Sequence, residues 1–220
     1  ATLLQRRPPS GKQGSSRKKD APTPKLVTDL ATLGATCEQW FKNRSQTPFE
    51  FQRATWQAMV AGTDGLLHAP TGTGKTLAAW FGALCRSSAL STHHKKTGIR
   101  IIWITPLRAL ATDTARALEE PLADLTEMLG SHWQVGTRTG DTSAADRRRL
   151  RQNWPEALIT TPESLSILLS LEDSQEIFSD LDTVIVDEWH ELLGTKRGVQ
   201  TELALSRLRA IRPEVITWGL

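Results

Sequence analysis

The stretch Gly65-Leu-Leu-His-Ala-Pro-Thr-Gly-Thr-Gly-Lys-Thr76 decides the fold, because it joins a short apolar run to a glycine-rich turn. A second apolar stretch, residues 77–84, follows the turn at once and continues as a helix. A strand that runs through a glycine-rich loop into a helix is one βα unit. The sequence around this turn therefore predicts an α/β protein.

Further apolar runs repeat the alternation of strand and helix along the chain. They cover residues 66–68, 99–105, 135–139, 158–161, 183–187 and 215–220. Runs such as Ile101-Ile-Trp-Ile104 are apolar without alternation, which is typical of strands buried on both faces of a parallel sheet. Helices then cover both faces through right-handed crossovers. We predict a three-layer α/β domain with a mostly parallel sheet, and the sequence contains no internal repeat or second domain.

The glycine-rich turn has the composition of a phosphate-binding loop. Gly72 and Gly74 let the backbone wrap so that consecutive N–H groups point inward, and the start of the following helix adds partial positive charge. Lys75 is placed to reach the β- and γ-phosphates, and the Thr76 hydroxyl to bind the magnesium ion between them. A turn that only connects two elements would not need Lys75 and Thr76 in register. The predicted ATP and Mg²⁺ site contains Thr71, Gly72, Thr73, Gly74, Lys75 and Thr76.

Two consecutive carboxylates follow the apolar run at residues 183–186. Ligands of open α/β sheets collect at the carboxyl edge, so we expect Asp187 and Glu188 to face the phosphate loop. Asp187 is suited to hold magnesium, usually through water, and Glu188 to orient and deprotonate an attacking water. Two acids after a strand can also cap a turn, but the phosphate loop upstream in the same predicted sheet favours the catalytic interpretation.

The excess positive charge of the chain is concentrated at its N-terminus. The formal net charge is +3, yet residues 1–25 hold seven Lys or Arg and one Asp, so the remainder is slightly acidic. Prolines, glycines and serines among these charges predict a disordered basic tail over residues 1–25. The tail is either a solvated leader without function or an arm that attracts nucleic-acid phosphates without sequence preference. In the folded part, any nucleic-acid site has to be local.

The remaining features indicate an ordinary globular domain. Apolar residues at helical spacing predict a helical segment over residues 26–46, with Trp40 and Phe41 packed in the core. Cys37 and Cys85 lack the spacing of a metal site or disulfide framework, which indicates two buried thiols. No apolar run reaches the ~18 residues of a membrane span, and no apolar signal segment follows the basic start. We expect a cytoplasmic protein without membrane contact.

The two nucleotide motifs resemble those of the superfamily 2 helicases. In that group the phosphate loop reads A-x-T-G-x-G-K-T and the acidic box D-E-x-H, as residues 69–76 and 187–190 do here. Pro48-Phe-Glu-Phe-Gln52 is similar to the adenine-selecting Q motif, which implies that Gln52 contacts the adenine edge. The resemblance implies a RecA-like ATP-binding lobe over residues 47–220, with Lys75 and Glu188 as catalytic residues. His190 takes the position that couples the ATP site to nucleic acid.

Three further motifs follow predicted strands and resemble the first-lobe motifs that touch a nucleic-acid backbone. They are Thr105-Pro-Leu-Arg-Ala-Leu110, Thr139-Gly-Asp-Thr142 and Thr161-Pro-Glu-Ser164. Hydroxyls, an arginine and exposed N–H groups suit phosphate contact, and the specific feature is the order of the three motifs between the ATP motifs. The predicted nucleic-acid residues are Pro106, Arg108, Thr139, Gly140, Thr142, Thr161, Pro162 and Ser164.

The basic run Arg147-Arg-Arg-Leu-Arg151 follows the second of these motifs. Ser143 with Asp146 three residues later predicts a capped helix start, so the run falls on a helix. Its arginines either form a solvated face or lie along the bound strand.

The segment Asp187-Glu-Trp-His-Glu-Leu-Leu-Gly-Thr-Lys-Arg-Gly-Val-Gln200 resembles the large-helicase-related (Lhr) family, especially its ligase-associated bacterial branch. That resemblance implies a DNA-dependent ATPase that moves 3′ to 5′ on a single-stranded tracking strand and unwinds duplexes. It also implies DNA repair beside an ATP-dependent DNA ligase and a nuclease. A second lobe with arginines for the γ-phosphate would follow, so we expect these 220 residues alone to bind ATP but hydrolyse it very poorly.

Two other functions stay open on the sequence. The chain is alternatively a nucleotide-gated nucleic-acid-binding module that does not turn over ATP by itself, or the lobe of an RNA helicase. Phosphate release by the isolated chain separates the first alternative from a motor. Comparing DNA with RNA as the tracking strand separates the second, because the 2′-hydroxyl is the physical difference that the lobe can detect.

Overall fold

The structure is a computed structural model that describes residues 2–6, 30–70, 72–90, 98–125 and 133–220. In these ranges one sheet contains β1 (Thr2–Arg6), β2 (Asp64–His68), β3 (Ile101–Ile104), β4 (Val135–Arg138), β5 (Ala157–Thr160), β6 (Thr183–Val186) and β7 (Ile216–Gly219). The strand order is β1-β2-β7-β6-β3-β5-β4. All neighbouring strands are parallel except β1, which is antiparallel to β2. The mostly parallel sheet is thus confirmed.

Helices cover the two faces of the sheet. They are α1 (Leu30–Lys42), α2 (Glu50–Val60), α3 (Lys75–Ala89), α4 (Arg108–Glu119), α5 (Ala144–Gln152), α6 (Pro162–Leu169), α7 (Ser174–Ile177), α8 (Trp189–Leu192) and α9 (Lys196–Ile211). Trp103 packs in one core with residues of α1 to α4, whereas Ile102 and Ile104 pack in the other with residues of α6 to α9. The three predicted layers are confirmed. None of the helices in the described ranges has the length and apolar character that a membrane crossing requires.

The central strands are apolar without alternation because both of their faces are covered. Every residue of β3, β5 and β6 is buried, whereas the residues of the edge strand β4 are only half-buried. In β3, Trp103 lies between Ile159 of β5 and Ile185 of β6. Strand termini at the carboxyl edge therefore lie side by side, and they carry the site described below.

The leading helical segment packs on this core through the predicted apolar face. Residues 26–29 lie outside the described ranges, and α1 buries Leu33, Cys37, Trp40 and Phe41. The Trp40 ring meets the Phe81 ring edge to face, with centroids 5.1 Å apart, so the core assignment of Trp40 and Phe41 is confirmed. The Cys37 and Cys85 sulfur atoms are 3.4 Å apart as two buried free thiols, as predicted.

The first residues differ from the prediction of a tail without regular structure. Thr2–Arg6 forms β1 and pairs with β2 from Thr2 opposite His68 to Arg6 opposite Asp64. The remainder of the predicted tail, residues 7–25, lies outside the described ranges. The prediction used the composition of all 25 residues and therefore missed the short run Thr2-Leu-Leu-Gln5. A strand can form there without apolar burial, because it is held by main-chain hydrogen bonds to an open sheet edge.

A buried ion pair ties the sheet to α3. Arg100 donates from Nε to Asp182 Oδ2 at 3.3 Å, and both side chains are almost fully buried. The Ser87 hydroxyl also donates to Asp182 Oδ2, and the Arg100 guanidinium lies over the Trp133 ring. Charges removed from water need such partners, because each ion loses several kcal/mol of hydration.

Asp182→Ala is expected to lower the free energy of unfolding by about 3–5 kcal/mol, because it leaves Arg100 buried without its counter-ion. Chemical denaturation followed by tryptophan fluorescence measures the change. Asp124→Ala is the control, since Asp124 forms an exposed ion pair with Arg44 worth about 0–1 kcal/mol. Equal, small losses in the two variants would contradict the structural role of Asp182.

Candidate nucleotide and nucleic-acid site

The predicted phosphate loop lies between β2 and α3, in the strand–loop–helix context that the sequence predicted. Gly72 and Gly74 have φ of 80° and 84°, a left-handed conformation that favours glycine. A Cβ atom on Gly74 would lie 2.8 Å from Gln52 Nε2, so a side chain is excluded there by space as well as by conformation. The Thr73 hydroxyl donates to the Pro70 carbonyl at 2.7 Å and closes the turn. Thr71 lies outside the described residues.

Lys75 and Thr76 form the start of α3. Gly74 is the residue that precedes α3, so the first N–H groups of α3 point toward the loop. Both side chains are half-buried rather than packed in the core. Lys75 lies close enough to Asp187 to favour the ionised form of that carboxyl group. The start of α3 and the end of β6 therefore lie close to one another.

Gln52 connects α2 to the phosphate loop. Its Oε1 accepts from the Phe49 N–H at 2.9 Å, and its Nε2 donates to the Gly74 carbonyl at 3.1 Å. The residue is 2% exposed, so the amide is held by these two bonds. In this arrangement Gln52 fixes the loop, and its contact with adenine stays a prediction.

Asp187 ends β6 with both carboxylate oxygens engaged. Trp103 Nε1 donates to Oδ2 at 3.2 Å, and the Glu188 N–H donates to Oδ1 at 3.0 Å. Burial raises the pKa of Asp187 above its ordinary value, and the charge of Glu188 raises it further. The hydrogen bond from Trp103 and the charge of Lys75 only partly oppose this rise in pKa. A cation at this carboxylate would offset the cost of its charge.

Glu188 adopts a backbone conformation that is rare for residues with a side chain. Its φ of 47° is left-handed, and it lies directly before α8. Such conformations cost about 1–3 kcal/mol and persist where the surroundings impose them, often at functional sites. The Glu188 carboxylate lies 3.4 Å from His190 Nδ1, while His190 Nε2 lies 3.4 Å from Glu191 Oε1. His190 is thus held at the surface between two carboxylates.

The residues present fit a magnesium ion that is bound mostly by phosphate and water. No cluster of three or more His, Cys, Asp or Glu side chains in the described ranges could hold a metal by itself. Magnesium commonly takes one or two protein ligands together with phosphates and water molecules. Asp187, with its raised pKa, and the hydroxyl of Thr76 supply such a pair of oxygen groups.

The three threonine motifs lie at the ends of the adjacent strands β3, β5 and β4. The Thr105 N–H donates to the Thr160 carbonyl at 2.9 Å, which joins the first motif to the strand before the third. Arg108 Nη1 lies 3.3 Å from Asp141 Oδ1, which joins the first motif to the second. A Cβ atom on Gly140 would lie 2.8 Å from Arg108 Cζ. The structure therefore brings all three motifs together at one edge.

Most threonine hydroxyls of these motifs accept hydrogen bonds from the backbone. Thr142 Oγ1 accepts from the Thr139 N–H at 2.9 Å, and Thr161 Oγ1 accepts from the Ser164 N–H at 3.4 Å, where Pro162 opens α6. A hydroxyl that accepts, such as that of Thr142, keeps its O–H to donate, which is the polarity that phosphate needs. The Thr161 hydroxyl also donates to the Glu163 carboxylate. Thr161, Ser164 and Pro106 are buried, whereas Arg108 and Gly140 are exposed. The exposed pair is the accessible part of this set.

Contacts between motifs add residues that the sequence did not single out. The sequence indicated that Trp103 is a core residue of a strand, but in the structure its indole N–H donates a hydrogen bond to Asp187.

Glu163 accepts hydrogen bonds from Arg197 Nε at 2.6 Å and from Arg197 Nη2 at 3.2 Å. Burial disfavours the charge of Glu163, but these bonds, the hydrogen bonds from its own backbone N–H and from the Thr161 hydroxyl, and the charge of Arg197 together hold its pKa below the ordinary value. The pair links the third threonine motif to the segment after the acidic box. Both residues lie in motifs that the sequence analysis named, but nothing in the sequence indicates that they form a pair.

Known proteins resemble this chain over most of its length. The Lhr helicase/uracil glycosylase of Escherichia coli K12 is 39% identical over 204 residues, which are 87% of this chain and 13% of that protein. The ATP-dependent helicase Lhr-Core of Methanocaldococcus jannaschii is 38% identical over 181 residues, or 79% of this chain and 21% of that protein. This chain therefore spans less than a quarter of the length of either relative.

A solved structure supports the same relationship. The Mycobacterium smegmatis helicase Lhr bound to ssDNA and AMP-PNP superposes with a TM-score of 0.72 at 36% identity, covering 84% of this chain and 24% of that one. The RecA-like fold that the motifs implied is confirmed by this superposition. The DEAD/DEAH box helicase family model matches residues 49–218, from the Q-like motif to the last strand. With Lhr helicases as its relatives, this chain belongs to the DEAD/DEAH box helicase family.

Proposed function

We propose that this chain is the ATP-binding first lobe of a DNA helicase or translocase. The observation that carries the proposal is the position of Asp187, followed by Glu188, within electrostatic reach of Lys75 and at the same sheet edge as the three threonine motifs. One lobe thereby holds a nucleotide site and a candidate nucleic-acid site. ATP hydrolysis at the nucleotide site can change contacts at the nucleic-acid site, because both sites are built on the ends of neighbouring strands.

In the nucleotide site, each residue has a separate role. The loop N–H groups and Lys75 bind the phosphates, and Thr76 and Asp187 would hold a magnesium ion, which would neutralise part of the phosphate charge. Glu188 orients a water molecule and takes its proton as the water attacks the γ-phosphorus, whose bond to the bridging oxygen breaks so that ADP leaves. Gln52 keeps the loop in register through Gly74 and selects the adenine. His190, which contacts Glu188, passes the state of the γ-phosphate to the nucleic-acid side.

In the nucleic-acid site, Arg108 and the backbone of Gly140 contact phosphates of a single tracking strand. The hydroxyls and helix starts of the Thr139 and Thr161 motifs supply further donors, without reading bases. Single-stranded DNA is the favoured ligand because the M. smegmatis Lhr structure contains ssDNA together with an ATP analogue. The Glu163–Arg197 pair transmits movement between this surface and the acidic box.

The finer assignments rest on the resemblance to Lhr proteins. We propose 3′ to 5′ movement, a cytoplasmic role in DNA repair, and functional association with an ATP-dependent DNA ligase and a nuclease. Arginines from a second lobe complete the γ-phosphate site in the resembled family. These 220 residues by themselves therefore bind ATP and hydrolyse it slowly.

The test is phosphate release by the protein that carries both lobes, measured with single-stranded DNA, with RNA of the same sequence, and without nucleic acid. DNA is expected to stimulate release more than RNA does. Greater stimulation by RNA would assign the lobe to an RNA helicase. If DNA binding depends on nucleotide but DNA does not stimulate phosphate release, the protein is a nucleotide-gated binding module.

A further inference from the structure

Arg138 is placed beneath α5 at the edge of the sheet. It is the last residue of β4, two positions after Gly136, so the two residues share one face of the strand. A Cβ atom on Gly136 would lie 3.2 Å from Leu150 Cδ2, which shows that α5 covers this face. Arg138 Nη1 is fully buried there without a hydrogen-bond partner. A buried guanidinium nitrogen without an acceptor is costly.

Two more arginines of α5 surround this position. Arg147 and Arg151 are four residues apart and flank Leu150, so they share one helix face. Burial lowers the pKa of Arg138, and the charges of Arg147 and Arg151 lower it further, so both helix arginines act electrostatically on the Arg138 guanidinium. This cluster of like charges lies between the sheet edge and the helix.

The cluster has little negative charge within it. Arg147 Nη2 donates to the Gly140 carbonyl at 2.9 Å, and Arg151 meets the exposed Asp173 at 3.5 Å. Within the part of the chain that the structure describes, no carboxylate contacts Arg138 or Arg147. An anion bound between these arginines would supply the missing acceptor and offset the repulsion.

We propose that Arg138, Arg147 and Arg151 form a phosphate-binding site that continues the nucleic-acid path from the Thr139 motif along α5. The site rests on the proposed function, since the path begins at Gly140, whose carbonyl Arg147 holds. Ser143 caps α5 by accepting from the Asp146 N–H, so the helix runs away from the motif. Arg147 and Arg151 are about 6 Å apart along the helix axis, within reach of successive phosphates of one strand.

The other two arginines of α5 provide a matched control. Arg149 pairs with Asp146 at 3.1 Å, and Arg148 is exposed on the side of the helix opposite Leu150, the residue that packs toward the sheet. The double variants Arg147→Gln/Arg151→Gln and Arg148→Gln/Arg149→Gln remove the same charge from the same helix. If the positive charge of α5 attracted DNA only in a general way, the two double variants would weaken DNA binding equally.

The first test is binding of fluorescently labelled single-stranded oligo(dT) by this 220-residue chain over a series of salt concentrations. The slope of log K against log salt is negative, and its magnitude is expected to decrease by about 1.4 in Arg147→Gln/Arg151→Gln, since each lost phosphate contact removes about 0.7. The control pair should stay near the slope of the unsubstituted chain. Arg151→Gln alone, which leaves the Gly140 contact in place, should decrease the magnitude of the slope by about 0.7. Equal slopes in both double variants overturn the site.

A second test does not depend on the affinity of the lobe for DNA. Inorganic phosphate should shift the Nε–H resonance of Arg138 in the unsubstituted chain, with chloride at equal ionic strength as the reference. The shift should be absent in Arg147→Gln/Arg151→Gln. No phosphate-specific shift in the unsubstituted chain overturns the site.

The outcomes also separate this site from the proposed function. Binding of a fluorescent ATP analogue should be unchanged in Arg147→Gln/Arg151→Gln, because α5 lies at the opposite edge of the sheet from β2 and its loop. If the unsubstituted chain binds ATP and DNA and the variant binds both equally well, only the arginine site is wrong. If the unsubstituted chain binds neither, the proposed function itself is wrong.

Discussion

Glu188→Gln is expected to lower DNA-stimulated ATP hydrolysis by about 10²–10⁴ while ATP binding persists. Glutamine keeps the size of the side chain and its hydrogen-bonding capacity, but it cannot take the proton of the attacking water. The left-handed backbone at Glu188 also stays the same, so the position of the side chain is preserved. Phosphate release at saturating single-stranded DNA measures turnover, and a fluorescent ATP analogue measures binding.

Glu191→Gln is the matched control for this experiment. Glu191 lies three residues away on α8, is more exposed than Glu188, and contacts the other nitrogen of His190 at 3.4 Å. Its replacement removes the same charge from the same histidine without touching the proposed base. A Glu188→Gln protein that hydrolyses ATP as fast as the Glu191→Gln protein would show that another group takes the proton.

Lys75→Ala is expected to weaken ATP binding and to lower turnover by about 10²–10³, the loss seen when one preorganised donor to developing charge is removed. Lys75 is the first residue of α3, where the loop and the helix start already concentrate positive charge. The same change removes a charge that favours ionisation of Asp187, so the pKa of Asp187 should rise further. Carboxyl resonances measured over pH give this second readout.

Lys42→Ala serves as the control, because Lys42 is an exposed lysine in the last turn of α1, outside the loop and the acidic box. It changes the net charge equally and should leave ATP binding unaltered. Nucleotide binding that is equally strong in the two variants would mean that Lys75 does not reach the phosphates.

The sequence predicted the fold well because its signals were local. The unbroken apolar runs of β3 and β6 required burial on both faces, and only a sheet between two helical layers provides it. The prediction was wrong at Thr2–Arg6, where a strand forms on main-chain hydrogen bonds to β2. Pairing at a sheet edge depends on an open neighbour in space, and composition carries no information about that neighbour.

The candidate site was predicted in its residues but not in its internal contacts. Lys75, Thr76, Asp187 and Glu188 could be named because phosphate and magnesium chemistry demands those groups at fixed offsets from a strand. Trp103 could not, because a tryptophan in a buried strand is by default a core residue. Its bond to Asp187 joins residues that are far apart along the chain and meet only because β3 and β6 are neighbours.

By itself, the sequence determined the layers around the sheet and the positions of the predicted phosphate loop and acidic box, since each depends on the order of neighbouring residues. Only the tertiary structure decided that Gln52 holds Gly74 and that Glu163 pairs with Arg197. The structure alone also placed Arg138 beneath the two arginines of α5. These contacts depend on which strands are adjacent and which helix faces them, and that arrangement is set by burial over the whole core rather than by any local pattern.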